Sequence, residues 1–253
     1  MRCVSTNPET IDLEIPVNGE RLLLDVSGAA WWASRRTLVF ADLHFEKGSS
    51  YARGGQFLPP YDTRATLQRM AQAVARRRPA RIVALGDSFH DPHAADRLDA
   101  EARALLAGMA KAVDFVWIAG NHDPHPPAWL GGAVMAEWRE GGLVFRHEPS
   151  AGAAPGEVAG HLHPCARVSK WGRFVRRRCF AADGTRMVLP SFGAYTGGLD
   201  VGDEAIASLF GPRFHAYMLG TDRVYAMARQ AGRRKITDDI QPMMTASRTA
   251  ASP

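Results

Sequence analysis

The stretch FVWIAGNHDPHPP, residues 115–127, runs from five largely apolar residues into a glycine, an amide, an imidazole and a carboxylate, and then into prolines. The apolar run predicts a buried strand. It would end by placing Asn121, His122 and Asp123 side by side, with the prolines stopping the strand and fixing the loop. The same residues would also make an ordinary surface turn, so the rest of the chain decides between the two.

The pattern recurs. TLVFADLH (37–44) ends an apolar run in Asp42 and His44, and RIVALGD (81–87) ends one in Asp87. LVFRHE (143–148) carries His147, and EVAGHLH (157–163) carries His161 and His163. Helical periodicity fills the gaps between the first three runs. From Asp62, read as an N-cap, to about Arg78, residues Leu67, Met70, Ala71 and Val74 share one face. Residues 99–113 form a second helix, and 45–61 read as a Gly- and Pro-rich loop. Upstream, residues 11–44 read as a series of strands with turns at Asn18-Gly19 and near Ser34-Arg35. Downstream, 174–190 and 215–229 read as hairpins. Alternating strands and helices argue for α/β organisation, and in such sheets ligands collect at the carboxyl ends of strands.

The chain has 253 residues, of which 46% are hydrophobic, enough for a sizeable core. One domain is expected over 11–230, with flexible termini at 1–10 and 231–253. The net charge of +5 and pI near 9.4 favour anionic partners only weakly. Three cysteines without CxxC spacing do not suggest a disulfide framework. The N-terminus does not read as a signal peptide and no run reaches membrane-span length, so a cytoplasmic protein without membrane association is expected.

Imidazole suits Zn, Fe and Mn ions, and carboxylate and amide oxygens suit the harder ones. Strand alternation would put Asp42 and His44 on one side of an extended segment, and His161 and His163 likewise. Such pairs, joined by single ligands from other strands, can hold two ions that clamp the attacking and leaving oxygens of a displacement at phosphorus.

In order and spacing, D-x-H, G-D, G-N-H-D, a lone His and G-H-x-H resemble the five motifs of the calcineurin-like metallophosphoesterases across residues 42–163. More narrowly, ADLHFEKGSSYARGGQFLPPYDT, GDSFHD, GNHDP, GHLHP and SFGAYTGGLDV resemble the bacterial ligase-associated DNA-damage-response endonucleases (the PdeM group) over about residues 15–228. The resemblance implies an α/β fold of two sheets in a β-sandwich flanked by helices (α/β/β/α). It implies a Mn²⁺-dependent phosphodiesterase with two divalent ions, Zn or Fe being alternatives, that cuts DNA, single-stranded in preference, in repair. A DNA ligase and a helicase of the same repair system are the implied partners. Oligomeric state, a homodimer included, is left open.

Carried over residue by residue, one ion would be held by Asp42, His44, Asp87 and His163, and the other by Asp87, Asn121, His147 and His161. Asp87 would bridge them, and His122 would protonate the leaving oxygen. Asp123 would either orient His122 or cap the next turn. His90, Asp91, Arg53 and Lys47 are candidates to orient ligands or meet substrate. In KWGRFVRRR, residues Lys170, Trp171, Arg173, Arg176, Arg177 and Arg178 are candidates for nucleic-acid contact, set against an exposed charged strand whose aromatics are in the core. A phosphatase or nucleotide phosphodiesterase acting on small phosphate esters would need the same ligands. A non-catalytic scaffold is the third reading, disfavoured because no ligand is lost.

Overall fold

In the computed structural model, residues 12–56, 58–170 and 173–230 are described. The expected flexible termini and Trp171 lie outside them. Two sheets are present. The first runs in chain order: β1 (Leu13–Val17), β2 (Glu20–Leu24), β3 (Ala30–Trp32), β4 (Thr37–Ala41), β5 (Arg81–Leu85), β6 (Asp114–Ile118) and β7 (Ala133–Met135). The second contains β8 (Glu137–Glu140), β9 (Leu143–Arg146), β10 (Glu157–Ala159), β11 (Cys165–Lys170), β12 (Arg173–Ala182), β13 (Met187–Val188), β14 (Arg213–Leu219) and β15 (Val224–Gln230). Its order is β15-β14-β12-β13-β10-β9-β8, and β11 pairs with β12 outside that path.

The hairpin β1–β2 turns at Asn18-Gly19, where φ is 48° and 83°; two positive φ values match the strand twist. Strands β4, β5 and β6 are parallel to one another. They read as continuous apolar runs because both faces are covered. Leu38, Phe40, Ile82, Ala84, Phe115 and Trp117 pack against helices α2 (Asp62–Arg77) and α4 (Ala100–Ala112). The alternate residues Val39, Ala41, Val83, Leu85, Val116 and Ile118 meet Phe145, Val158, Phe180 and Leu189 of the second sheet. The far face of that sheet is closed by α5 (Glu204–Ala207) with Phe210 and Phe214. The layers are therefore α/β/β/α. Each large buried side chain contributes roughly 1.5–3 kcal/mol, against about 1 kcal/mol for a helix cap. Burial on two faces, rather than capping, sets the layer order.

Two local expectations are corrected. The loop expected over 45–61 contains helix α1 (Lys47–Arg53). Asp62 does not cap α2, whose N-cap is Tyr61 with no side-chain bond. Its buried carboxylate accepts the Gly48 amide of α1 at 2.9 Å instead. Seven residues are too few for a self-supporting helix, so α1 depends on a bond from a residue 14 positions away and leaves little local signal. A short helix α3 (Ala94–Arg97) precedes α4. Among the described residues no helix is long and apolar enough to cross a membrane.

Candidate metal centre

The carboxyl ends of the parallel strands β4, β5 and β6 lie together, as do those of the parallel pair β9 and β10 in the other sheet. The candidate ligands come from both sheets, and they sit just past the strands rather than within them. Asp42, His44, Asp87, His161 and His163 have φ of 52°, 45°, 44°, 68° and 47°. Strand alternation is therefore not what orients the D-x-H and H-x-H pairs: Asp42 and His44 face one group, whereas His161 and His163 face different ones. Left-handed backbone at a non-glycine residue costs on the order of 1 kcal/mol or more. It persists here because the backbone is tied down. The His44 amide donates to the Asp87 carbonyl at 2.9 Å, and the Gly193 amide to the Asp42 carbonyl at 3.0 Å. The His161 amide donates to the Asp42 carboxylate at 3.0 Å and the His122 amide to Asp87 Oδ1 at 2.9 Å.

The motif glycines have a steric cause. A Cβ on Gly86 would lie 2.5 Å from the His147 ring, and one on Gly120 would lie 2.2 Å from the Asp87 backbone nitrogen.

Two donor groups result. Asp42, His44 and His163 form one, and Asp87, His147 and His161 the other, with ligand atoms within 4.8 Å of one another in each. In the first, His44 Nε2 and His163 Nε2 are 3.4 Å apart, and His163 Nε2 is 3.3 Å from Asp42 Oδ1. In the second, His147 Nε2 is 3.1 Å from His161 Nδ1 and 2.8 Å from Asn121 Oδ1. Ligands sharing one ion at about 2.0–2.1 Å sit roughly 3 Å apart, so both groups fit a first-row divalent ion. Asp87 lies between them. Its Oδ2 is 4.0 Å from His44 Nε2, and its Oδ1 is 3.4 Å from His147 Nε2. The His147 Nδ1–H donates to the Leu85 carbonyl at 3.0 Å, which leaves Nε2 to face the group.

The electrostatics suit cation binding. Burial and the neighbouring His163 push His44 down to about 2, so it is neutral and able to coordinate. Burial opposes a charge on His147, but its hydrogen bond to Asp87 and the charges of Asp42 and Asp87 outweigh it and raise its pKa. Burial likewise opposes ionised Asp87, yet His147 and the His122 amide hold it below the usual carboxylate range.

The remaining candidates separate. His122 lies beside Asp87, with Nε2 3.9 Å from Oδ2. Its Nδ1–H donates to the His90 carbonyl at 2.7 Å, and its ring stacks on that of His90 at 5.2 Å. Asp123 is buried; one oxygen accepts the Phe89 amide at 3.0 Å, and the other has no partner. It therefore braces the turn after Asp87, and His90 rather than Asp123 aligns His122. Burial pushes Asp123 up to about 7, opposed in part by the Phe89 amide. The His90 ring touches His44, Nδ1 to Nδ1 at 3.4 Å, and burial with the nearby Lys47 lowers it to about 4. Asp91 points to Arg97 at 2.6 Å, which holds its carboxyl well below the usual range. Lys47 is half-buried against Tyr51, and Arg53 is exposed at the end of α1.

The arginines of β12 divide as well. Arg178 donates to the carbonyls of Ser191, Phe192 and Gly193, at 2.8, 3.3 and 3.3 Å. Arg176 donates to the Gly198 carbonyl, and Arg177 is exposed. Lys170 and Arg173 are backbone register partners in the β11–β12 pair. Phe174 is 71% exposed, so this aromatic, unlike Phe180 of the same strand, is not in the core. Arg69, on the helical face of α2, gave no signal in the sequence. Its guanidinium donates to the Phe192 carbonyl and lies 4.9 Å over that ring.

A two-sheet sandwich with paired Asp/His groups at its strand ends defines a metal-dependent phosphoesterase. The Calcineurin-like phosphoesterase family model matches residues 35–207, more than half of the chain, and the chain belongs to that family. Among solved structures, the Pseudomonas putida nuclease MPE is 29% identical, covers 86% of this chain and 100% of its own, and superposes with a TM-score of 0.67. The phosphoesterase Yfce from E. coli is 15% identical over 74% of this chain and 95% of its own, with a TM-score of 0.40. No curated protein matches the chain.

Proposed function

We propose that the chain is a dinuclear-metal phosphodiesterase that cuts single-stranded DNA internally, with Mn²⁺ as the working ion. The observation that carries the reading is Asp87, which offers one carboxylate oxygen to each Asp/His group while His122 stands beside it. One ion would be held by Asp42, His44, Asp87 and His163, the other by Asp87, Asn121, His147 and His161. Bound ions would supply Lewis acidity toward a phosphoryl oxygen and toward water. His122 does the proton work. Its Nδ1–H is committed to the His90 carbonyl, so Nε2 carries a proton only in the imidazolium form. In that form Nε2 can protonate the departing oxygen of a DNA sugar. Asp123 holds the Ser88-Phe89 turn and, through it, the place of His90.

A DNA substrate is supported by the likeness to a protein described as a nuclease and by the arginines of β12. The repair setting, beside a DNA ligase and a helicase, follows from the resemblance in sequence. Covalently closed circular single-stranded DNA is the decisive substrate, because a circle has no end to degrade from. With Mn²⁺, the wild-type protein is expected to yield linear product and Asp87→Ala none. Hydrolysis of small phosphate esters with the circle left intact would move the substrate to nucleotides.

A further inference from the structure

A cavity of about 320 Å³ is lined by Arg69, Arg176, Arg177 and Arg178, with Cys165 and the 193–196 segment completing its wall. Its wall is joined to the backbone of two members of the first donor group. The loop forming its wall is tied to one ligand through the Gly193 amide and the Ser191 hydroxyl, which donate to the Asp42 carbonyl at 3.0 and 2.9 Å. The same loop abuts a second ligand at Gly198, where a Cβ would lie 1.9 Å from the His163 carbonyl oxygen.

The cavity is cationic beyond what the fold needs. Among the described residues, no carboxylate lines it. Arg69 and Arg178 spend donors on the neutral carbonyls of residues 191–193, which satisfy hydrogen bonds without cancelling charge. Arg69 Nε is buried without a partner. Residues 165–178, which supply Arg176, Arg177 and Arg178, contain no acid. Guanidiniums gathered without a carboxylate favour an anion among them, and their planar fork matches phosphate oxygens.

We propose that this cavity is a second phosphate subsite, holding the backbone of the substrate strand at least one nucleotide from the bond that is cut. The proposal rests on the nucleic-acid reading above. It gives a physical reason for a polymer to be preferred over a nucleotide, since one phosphate cannot occupy the metal centre and the cavity together.

The test measures binding with no turnover. Fluorescence anisotropy of a labelled oligothymidylate is followed against salt, with the full chain in chelator, for wild type, Arg176→Ala and Arg176→Ala/Arg177→Ala. Both side chains are exposed, and circular dichroism melting checks that the variants fold. Arg176→Ala is expected to weaken binding about tenfold, and its salt slope to flatten by about 0.7 for every phosphate the protein no longer neutralises. With Mn²⁺ restored, KM for DNA should rise more than kcat falls. A wild type that binds, with variants matching it in affinity and slope, overturns the subsite and leaves the nuclease reading standing. A wild type that binds no oligonucleotide overturns both. Inorganic phosphate competing as tightly as the oligonucleotide would also overturn it, since the cavity would then take a free anion rather than a strand.

Discussion

Asp87 and His122 are neighbours to which the proposed reaction gives different duties, and substitution separates them. Asp87 faces both donor groups, so Asp87→Ala should lose bound metal and activity together, read by elemental analysis and turnover on the same sample. His122 is in neither donor group. His122→Ala should therefore keep its metal while kcat on DNA falls about 10²–10⁴-fold, the usual worth of a general acid. On a bis(nitrophenyl) phosphate the loss should be far smaller, because nitrophenolate departs without a proton. Full activity of His122→Ala on DNA would refute the acid role. The six Asp and His residues that come together in the two donor groups were legible at this scale because a metal site needs particular donors, and those survive as letters. Their orientation was not legible. Left-handed backbone at Asp42, His44, Asp87, His161 and His163, not strand alternation, aims them, and hydrogen bonds from distant residues hold it.

Among the elements, the buried strands and long helices followed from periodicity, and α1 did not. It is attached through Asp62, and it places Lys47 and Tyr51 next to His90. Asp62→Ala leaves the Gly48 amide unpaired, at a cost of about 1–3 kcal/mol. Limited proteolysis should cut the variant faster within residues 47–56, with far-UV circular dichroism nearly unchanged. Equal cleavage of variant and wild type would show that α1 is held by other contacts. The run Arg76-Arg77-Arg78 ends a helix, where cations suit the dipole, and the sequence leaves unseen that Arg76 and Arg77 both reach the buried Asp25, at 2.7 and 2.8 Å.

That cluster and the metal centre set how the whole molecule responds to pH and to ligand. Burial alone would raise the pKa of Asp25, but the Ser27 amide and the Arg77 and Arg76 guanidiniums outweigh it and hold it below the ordinary value of 3.8. A carboxyl depressed in the folded state stabilises fully above its unfolded pKa, and loses that contribution as pH falls through the folded one. Asp25→Asn removes the counter-charge shared by the exposed Arg76 and by Arg77, which keeps Asp12, at a cost of about 1–2 kcal/mol. For a chain of this size that lowers Tm by roughly 2–8 °C at neutral pH. The gap to wild type should close in melts recorded progressively below pH 3.8. Metal should act in the opposite direction. An ion that binds only the folded state contributes about 2.7 kcal/mol at a hundred times its Kd, so Mn²⁺ should raise Tm by roughly 5–11 °C over the chelated protein. An unchanged Tm would count against occupancy of these groups.

By itself the sequence determined which Asp and His side chains are available to the two donor groups, their order along the chain, and the α/β character of strands β4 to β6. These are local properties: donor identity is written in single residues, and burial on two faces in short apolar runs. The resemblance implied which ligand joins which group, and only the tertiary structure supplied the reason, because that depends on how two sheets pack face to face with their strand ends side by side. Histidines two residues apart, His161 and His163, part company there, while Asp42 and His163, far apart in the chain, come within 3.3 Å. The tertiary structure also turned three similar-looking arginines, Arg176, Arg177 and Arg178, into a surface cation, an exposed neighbour and a half-buried brace. Long-range contacts of that kind are set by packing and leave no periodic trace in the chain.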